Sequence, residues 1–330
     1  MAISLADINA LRQKTQAGLM DCKKALTEAN GDMEAAMEIL RKKGQLVAAK
    51  RSDREAAEGC VLAKVDGNFA AMIALKCETD FVAKNADFVA LAQKILDLAV
   101  ANRCKTLDEV KALSINGTPV PDAVVERSGV TGEKMELDGY NTVEGENVCA
   151  YNHMNQNFLC TLVALNKPCD EAIAKNIAMQ VAAMAPVALD EKSVPQSVKD
   201  AELAADIEKA KQNQINKAVE AAIKKAGINP AHVDSDDHIE SNTAKGWITP
   251  EQAQLAREIK VKVAEEKAAN LPEQMIQNIA QGMLAKFYKE SCLLDQAYID
   301  DSKVSVAQYL HSVDKELTVT DFKRFTLRAE

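Results

Sequence analysis

Apolar residues recur every three to four positions through the first 44 residues, and this spacing predicts three short helices. The first helix begins at Ser4, where Asp7 completes a capping box three residues later. The second ends at Asn30-Gly31, because these residue types adopt a left-handed backbone at the lowest cost. The third is predicted to end at Lys42-Lys43-Gly44. Together the three helices are expected to form one compact bundle.

The pattern then changes to an alternation of apolar and polar positions, which is typical of strands. Two such runs, 60–65 and 69–75, flank Asp66-Gly67-Asn68, and an Asp-Gly pair in this place favours a hairpin turn. A helix follows, with one apolar face formed by Phe88, Leu91, Ala92, Ile95 and Leu98. Two strands and a helix therefore form one predicted unit.

The same unit recurs about 90 residues later along the chain. Strands are predicted at 148–154 and 158–165, and a helix carries Ile173, Ile177, Val181 and Met184. Asn68-Phe69 and Asn157-Phe158 hold corresponding places at the turns. A last strand is predicted at 322–327. We interpret the repeat as a duplicated α+β module with antiparallel sheets.

Residues 200–270 are rich in Ala, Lys, Glu and Gln and are predicted to form an inserted antiparallel helical hairpin around a polar loop at 227–246. The seam between its two helices is predicted to contain Leu203, Ile207, Ala210, Leu255, Ile259 and Val263. The predicted domains are a helical module at 1–46, a linker at 47–57, core subdomain N at 58–140, core subdomain C at 141–199 and 271–330, and the hairpin at 200–270.

Composition narrows the range of functions. Lys and Arg number 40 against 49 Asp and Glu, so the net charge of −9 argues against general binding to nucleic acid or to anionic membranes. The eight cysteines include no CxxC pair, which favours reduced thiols. The start of the chain has no signal-peptide pattern, and no apolar run reaches about 18 residues. A cytoplasmic protein without a membrane partner is expected.

Motifs for nucleotide binding, metalloproteolysis or serine hydrolysis are missing, and the chain has only four histidines. His232 and His238 lie beside several aspartates, but a calcium loop that starts at Asp234 would place Ile239 where Gly is required and Lys245 where Glu is required. We therefore interpret this segment as a solvated hairpin tip, and we expect neither a metal nor a cofactor.

The segment Thr79-Asp80-Phe81-Val82 lies at a junction between a strand and a helix and permits two interpretations. Asp80 can cap the helix while Phe81 packs as a hydrophobic staple, which sequence physics alone favours. Alternatively, Phe81 is an exposed anchor for a protein partner. His153 and the Leu19-Met20 stripe have similar alternatives, since such residues more often pack internally. Lys23 is ordinarily part of a solvated face.

Two long motifs resemble the elongation factor Ts family of bacteria. The first comprises Thr15-Gln-Ala-Gly-Leu-Met-Asp-Cys-Lys-Lys-Ala-Leu26, Glu28-Ala-Asn-Gly-Asp32 and Lys42-Lys-Gly44, and the second is Cys77-Glu-Thr-Asp-Phe-Val-Ala-Lys-Asn85. The resemblance is clear over residues 1–100 and recognisable over 145–195 and 270–327. It implies a ubiquitin-associated-like N-terminal module, two related α+β subdomains and an inserted hairpin.

The resemblance also implies a function that the patterns alone do not. Members of this family are guanine-nucleotide exchange factors for the translational GTPase EF-Tu and carry out no covalent catalysis. In the family, residues that match Asp80 and Phe81 enter the GTPase domain, and the segment matching Thr79–Val82 is associated with displacement of the nucleotide's magnesium ion. Further partner contacts carry over to Arg12, Leu19, Met20, Lys23 and His153.

Two departures from the family pattern limit this transfer. The insert at 205–262 is longer than the common form, and many relatives continue past the last strand into a helical module, whereas this chain stops at Glu330. An adaptor that binds the GTPase without exchange is the alternative function. A conventional enzyme is disfavoured by the missing motifs. A homodimer and a 2:2 complex with EF-Tu both remain open.

Overall fold

A computed structural model describes residues 3–15 and 17–328 and divides the chain into two compact units. Unit 1 comprises residues 1–189 and 297–330, and unit 2 comprises residues 190–296. Within the described residues, no helix has both the length and the apolar character needed to cross a membrane.

Thirteen α-helices and ten strands occur in the described residues. The helices are α1 (Leu5–Thr15), α2 (Leu19–Glu28), α3 (Met33–Lys50), α4 (Asp80–Ala83), α5 (Ala86–Ala101), α6 (Leu107–Lys111), α7 (Val120–Thr131), α8 (Glu171–Met184), α9 (Gln196–Lys225), α10 (Asp236–Ala244), α11 (Pro250–Ala269), α12 (Glu273–Ser291) and α13 (Val306–Val313). The strands are β1 (Glu58–Asp66), β2 (Phe69–Cys77), β3 (Ser114–Ile115), β4 (Thr118–Pro119), β5 (Met135–Glu144), β6 (Asn147–Asn152), β7 (Leu159–Leu165), β8 (Ala297–Tyr298), β9 (Asp301–Ser305) and β10 (Val319–Thr326).

The predicted starts of α1 and α3 and the predicted end of α2 are confirmed. Ser4 Oγ accepts a hydrogen bond from the Asp7 N–H at 3.1 Å, and the Asp7 carboxylate accepts one in return from the Ser4 N–H. Asp32 caps α3 by accepting from the N–H groups of residues 34 and 35. Asn30 and Gly31 have φ values of 53° and 89° and end α2. The three helices enclose a small apolar core formed by Ile8, Leu11, Ala17, Cys22, Ala25, Leu26 and Ala36.

The predicted end of α3 at Gly44 is wrong, because the helix continues to Lys50. Gly44 lies inside the helix at its crossing with α7. A Cβ atom added at Gly129 of α7 would lie 2.5 Å from the Gly44 Cα, so the two backbones are in direct contact. The glycine is required by this close approach and does not mark a helix end.

Unit 1 contains two three-stranded antiparallel sheets with equivalent connections. In the first sheet the order is β1-β2-β5, and in the second it is β10-β7-β6. Each begins with a hairpin, β1-β2 or β6-β7, and each adds a later strand antiparallel to the second strand of that hairpin. The α+β fold class is confirmed, and the shared topology supports the predicted duplication.

Strand β2 is buried on both faces, which explains its continuous apolar sequence. Phe69, Ile73 and Leu75 lie on the face covered by α5, while Ala70 and Met72 on the other face pack with Cys160 and Leu162 of the second sheet. The N–H of Val61 also donates to the carbonyl oxygen of Asn157 at 2.7 Å. The two halves therefore share one apolar layer between their sheets.

Unit 2 is helical, but its predicted polar loop contains α10. Ser235 caps this helix, and a small apolar core forms beneath it from Ile223, Ile228, Val233, Ile239, Ile248, Ala253 and Ala256. The loop prediction is wrong for residues 236–244, but Asp234, Asp236, Asp237 and His238 are exposed, as the solvated-tip interpretation expects. Of the predicted seam, Ala210 is fully buried, whereas Leu255 is 42% exposed. Helix α12 packs along α9 within the same unit, and the predicted domain boundaries stay predictions.

Candidate functional site

The candidate site begins where β2 ends, at a single helical turn, α4. Thr79 has an extended backbone, and its hydroxyl accepts a hydrogen bond from the Val82 N–H at 3.4 Å. Thr79 is therefore the cap, and the prediction that Asp80 fills this role was wrong. Asp80 is instead the first helical residue, and its carboxylate lies 2.7 Å from the Lys84 ammonium. This hydrogen bond lowers the pKa of Asp80.

Phe81 is 84% exposed, more than any other large apolar side chain in the described residues. The staple interpretation required its ring to pack against the module, and this exposure contradicts it. The next residues, Val82 and Ala83, do pack against the core below β2. The turn thus presents an aromatic ring to solvent beside a carboxylate and ammonium pair, which is the geometry expected of an anchor for a partner.

A network around Glu78 fixes the residue that precedes the capped turn. Its carboxylate accepts hydrogen bonds from the Lys134 N–H at 2.6 Å and from Arg51 at 2.8 Å, and Arg54 lies 3.4 Å away. The Lys134 ammonium donates in turn to the carbonyl oxygens of Ser52 and Arg54. The segment after α3, the end of β2 and the start of β5 are therefore tied together by charge-assisted bonds.

We expect Glu78→Gln to lower the free energy of unfolding at pH 7 by about 1–2 kcal/mol, because it weakens these charge-assisted bonds. Desolvation raises the pKa of Glu78, but the bonds from Lys134 and Arg51 outweigh it and hold the pKa below its ordinary value of 4.5. A depressed pKa stabilises the fold above pH 4.5, and this contribution is lost as the pH falls through the lowered value.

Urea unfolding at several pH values measures this effect. The difference in the free energy of unfolding between wild type and Glu78→Gln should have its full size at pH 7 and should become smaller below pH 4.5. Glu146, which is exposed, supplies the matched control. Glu146→Gln should leave the free energy of unfolding unchanged at pH 7 and at pH 4. A difference between wild type and Glu78→Gln that is the same at pH 7 and pH 4 contradicts the assignment.

Four of the predicted contact residues lie on the N-terminal bundle, and all four are exposed. Arg12 lies on α1, and Leu19, Met20 and Lys23 lie at the start of α2. Leu19 and Met20 are 41% and 60% exposed, so the apolar stripe does not serve only as core. Helix α2 contributes other residues, Cys22, Ala25 and Leu26, to the core of the bundle. These residues and Phe81 lie on different parts of unit 1.

His153 is half-buried in an aromatic group and follows β6 directly. Its ring centroid lies 5.9 Å from those of Tyr151 and Phe158, and its Nδ1 lies 3.2 Å from the Tyr151 hydroxyl. Met154, which the sequence analysis did not single out, follows at φ 52° and is 69% exposed. Periodicity gives no signal for it, because its exposure depends on this local left-handed turn.

The structure brings the turn after His153 close to α4. Residues 155–158 line one groove together with Asp80, Ala83 and Lys84. Arg328 completes the groove and lies over the Phe158 ring at 3.8 Å from its centroid. The two halves of the duplicated core therefore each supply one side of this groove, next to the turn α4 that carries Phe81.

Two buried thiols, Cys60 and Cys160, lie in the apolar layers of the core. Burial raises the pKa of Cys60 and of Cys160 to about 12, so both thiols are protonated at neutral pH and are poor nucleophiles. His238 is exposed and pairs with Asp234 at 2.5 Å. Within residues 3–15 and 17–328, no group of three or more His, Cys, Asp or Glu side chains is arranged to hold a metal ion.

Comparison with known proteins places the chain in a family. A family model described as Elongation factor TS matches residues 78–329. Curated proteins named Elongation factor Ts from Bacteroides thetaiotaomicron and Phocaeicola vulgatus are 65% and 66% identical, and one from Porphyromonas gingivalis is 44% identical. Each alignment covers the whole of both chains. The chain therefore belongs to the elongation factor Ts family of translation elongation factors.

Proposed function

We propose that this protein is a guanine-nucleotide exchange factor for EF-Tu, which binds the GDP form, displaces the magnesium ion and promotes GDP release so that GTP can bind. The exposed ring of Phe81 is the single observation that carries the proposal. A ring that is 84% exposed costs the folded protein its burial energy, and insertion into a partner recovers that energy. Family membership supports EF-Tu as the partner.

Exchange by this route requires no covalent step. Burying the Phe81 ring in an apolar pocket of the GTPase stabilises the complex by about 2 kcal/mol. The pocket must rearrange to admit the ring, and this displaces backbone groups that hold phosphate together with ligands of the magnesium ion. Asp80 enters beside the ring with its charge balanced by Lys84. The affinity of the GTPase for the nucleotide falls because the groups that bind the phosphate and the magnesium ion are no longer correctly placed.

The N-terminal bundle supplies a second contact in this proposal. Leu19 and Met20 offer exposed apolar surface, and Arg12 and Lys23 place cationic groups on the same small module. Met suits such a surface because its flexible side chain adapts to a partner's shape. His153 and the turn after it lie in the second half of the core and would contact a different part of the GTPase.

Release of a fluorescent GDP analogue from the cognate EF-Tu tests the proposal directly. We expect micromolar protein to accelerate release, and unchanged release would contradict exchange activity. Tight binding without release would identify the alternative adaptor function, and turnover of a small substrate without EF-Tu would identify an enzyme. Light scattering of the purified complex would distinguish a 1:1 from a 2:2 assembly.

Linkage gives a quantitative prediction for the same system. If the protein weakens the affinity of EF-Tu for GDP by a given factor, then GDP must weaken the affinity of EF-Tu for the protein by the same factor. Calorimetric titrations of the protein into nucleotide-free and GDP-bound EF-Tu, paired with GDP titrations with and without the protein, measure both factors. Unequal factors would show that the two ligands do not share one binding cycle.

A further inference from the structure

One carboxylate outside the predicted site holds the backbone that carries Phe81. Glu133 accepts hydrogen bonds through one oxygen from the N–H groups of Glu78 and Thr79, at 3.2 and 3.1 Å. Its other oxygen accepts from the Thr79 hydroxyl at 2.6 Å. These donors follow the last ladder pair of β2 with β5, Cys77 with Met135. Glu133 therefore supplies acceptors where the sheet ends.

The single hydroxyl proton of Thr79 links Glu133 to α4. Because this proton is donated to Glu133, the oxygen lone pairs are left to accept the Val82 N–H. That second bond caps the one-turn helix. The Glu133 carboxylate thus determines both the position and the orientation of the group on which α4 begins.

Glu133 is itself held rigidly at the end of α7. Gly132 ends this helix with φ 75°, and the Glu133 N–H donates to the Thr131 hydroxyl at 3.3 Å. Its carbonyl oxygen accepts from the Ser128 hydroxyl, a buried side chain of α7. A continuous series of bonds therefore runs from α7 through Glu133 and Thr79 to the turn that carries Phe81.

Packing alone fixes α4 only in part. No residue of α4 is buried, and only Val82 and Ala83 touch the core from a half-buried position. A helix of four residues has too few internal bonds to be stable alone. The direction in which Phe81 projects therefore depends on the polar contacts made by Glu133.

We propose that Glu133 is a positioning residue for nucleotide exchange, which preorganises the Thr79–Val82 turn so that Phe81 enters the partner without a further ordering cost. This inference rests on the proposed exchange function. Glu133 need not touch the partner, since it acts through Thr79. Preorganisation of this kind improves function because the ordering entropy is already lost in the free protein.

The test compares the rate constant for GDP-analogue release from EF-Tu at subsaturating factor, where a cost of ordering the turn on binding lowers the rate. We expect Glu133→Ala to lower this rate constant about tenfold, the loss associated with removing a charged acceptor of several hydrogen bonds. Glu133→Gln should stay within about threefold of wild type, because its amide oxygen can accept both backbone N–H groups. Glu146→Ala, which removes the same charge at an exposed position, should match wild type.

A double-variant cycle separates positioning from general destabilisation. In a Phe81→Ala background, adding Glu133→Ala should change the rate less than twofold, because the positioned ring is already gone. An undiminished tenfold effect in this background would overturn the proposal. If Glu133→Ala does not fold, Thr79→Val removes the hydroxyl bond to Glu133 together with the cap of α4, and the same non-additivity with Phe81→Ala is expected.

Amide hydrogen exchange of the free protein provides a readout that does not involve EF-Tu. Glu133→Ala should raise the exchange rate of the peptide covering residues 78–83 and should leave α5 unchanged. Unaltered exchange in this peptide would overturn the positioning role. If wild type fails to accelerate GDP release, the proposed function fails; if wild type is active and Glu133→Ala is equally active, only this inference fails.

Discussion

Phe81→Ala should lower the rate constant for GDP release at subsaturating factor by about 30-fold, because about 2 kcal/mol of ring burial in the complex is lost. The substitution should leave the folded protein intact. The ring is 84% exposed and therefore contributes little to the core. Release of the fluorescent GDP analogue and thermal unfolding of the free variant measure the two expectations.

A matched control is the single tryptophan of the chain, Trp247, which is 61% exposed in unit 2. Trp247→Ala removes an exposed aromatic ring of greater area, and it should leave GDP release within about twofold of wild type if Phe81 acts by specific insertion. Equal losses for both variants would indicate a general effect of exposed aromatic surface. Unchanged release by Phe81→Ala would exclude Phe81 as the anchor.

Elements with local signals could be predicted from the sequence. The β1-β2 hairpin was located correctly because Gly67 lies at the turn with φ 59° and Asp66 pairs with Phe69 across it. The helix caps at Ser4 and Asp32 were predicted for the same reason, since each is satisfied within three residues. Such signals require no knowledge of the rest of the fold.

The sequence-based predictions were wrong or incomplete where a residue contacts a distant part of the chain. Gly44 resembles a helix stop locally, yet its partner is Gly129. Strand β5 was not predicted, because Gly139 interrupts its apolar pattern. A side chain at Gly139 would collide with the Phe325 ring, which is contributed by the last strand of the other sheet. A glycine that makes room for a distant group cannot be distinguished locally from a turn.

In the candidate site, too, the part with local sequence signals could be predicted, and the part that depends on distant contacts could not. The segment Thr79–Val82 was identified by its position between strand and helix, but the sequence physics favoured a packed Phe81 and misassigned the cap. The supporting carboxylate of Glu133 is 54 residues from Thr79, and nothing in its local sequence indicates the contact. The exposed ring is therefore local in sequence, whereas the groups that fix its direction are assembled by the fold.

Gly129→Ala should destabilise the contact between α3 and α7 by about 2 kcal/mol, although alanine normally favours a helix over glycine by about 1 kcal/mol. The sign reverses because the new Cβ would lie 2.5 Å from the Gly44 Cα and 3.1 Å from its nitrogen. Both neighbours are backbone atoms and cannot move aside as a flexible side chain can. The helices must separate, which weakens the docking of the N-terminal bundle.

Gly282 provides the matched control, because it lies inside α12 and a Cβ there meets no atom within 4 Å. Gly282→Ala should stabilise its helix by about 0.5–1 kcal/mol. Because the chain has two compact units, amide hydrogen exchange is the appropriate measurement, with protection read separately in α3 and α7 and in α12. We expect lower protection in α3 and α7 for Gly129→Ala and higher protection in α12 for Gly282→Ala. Increased protection in both variants would mean that helix propensity outweighs the backbone contact, and that the crossing of α3 and α7 relaxes without cost.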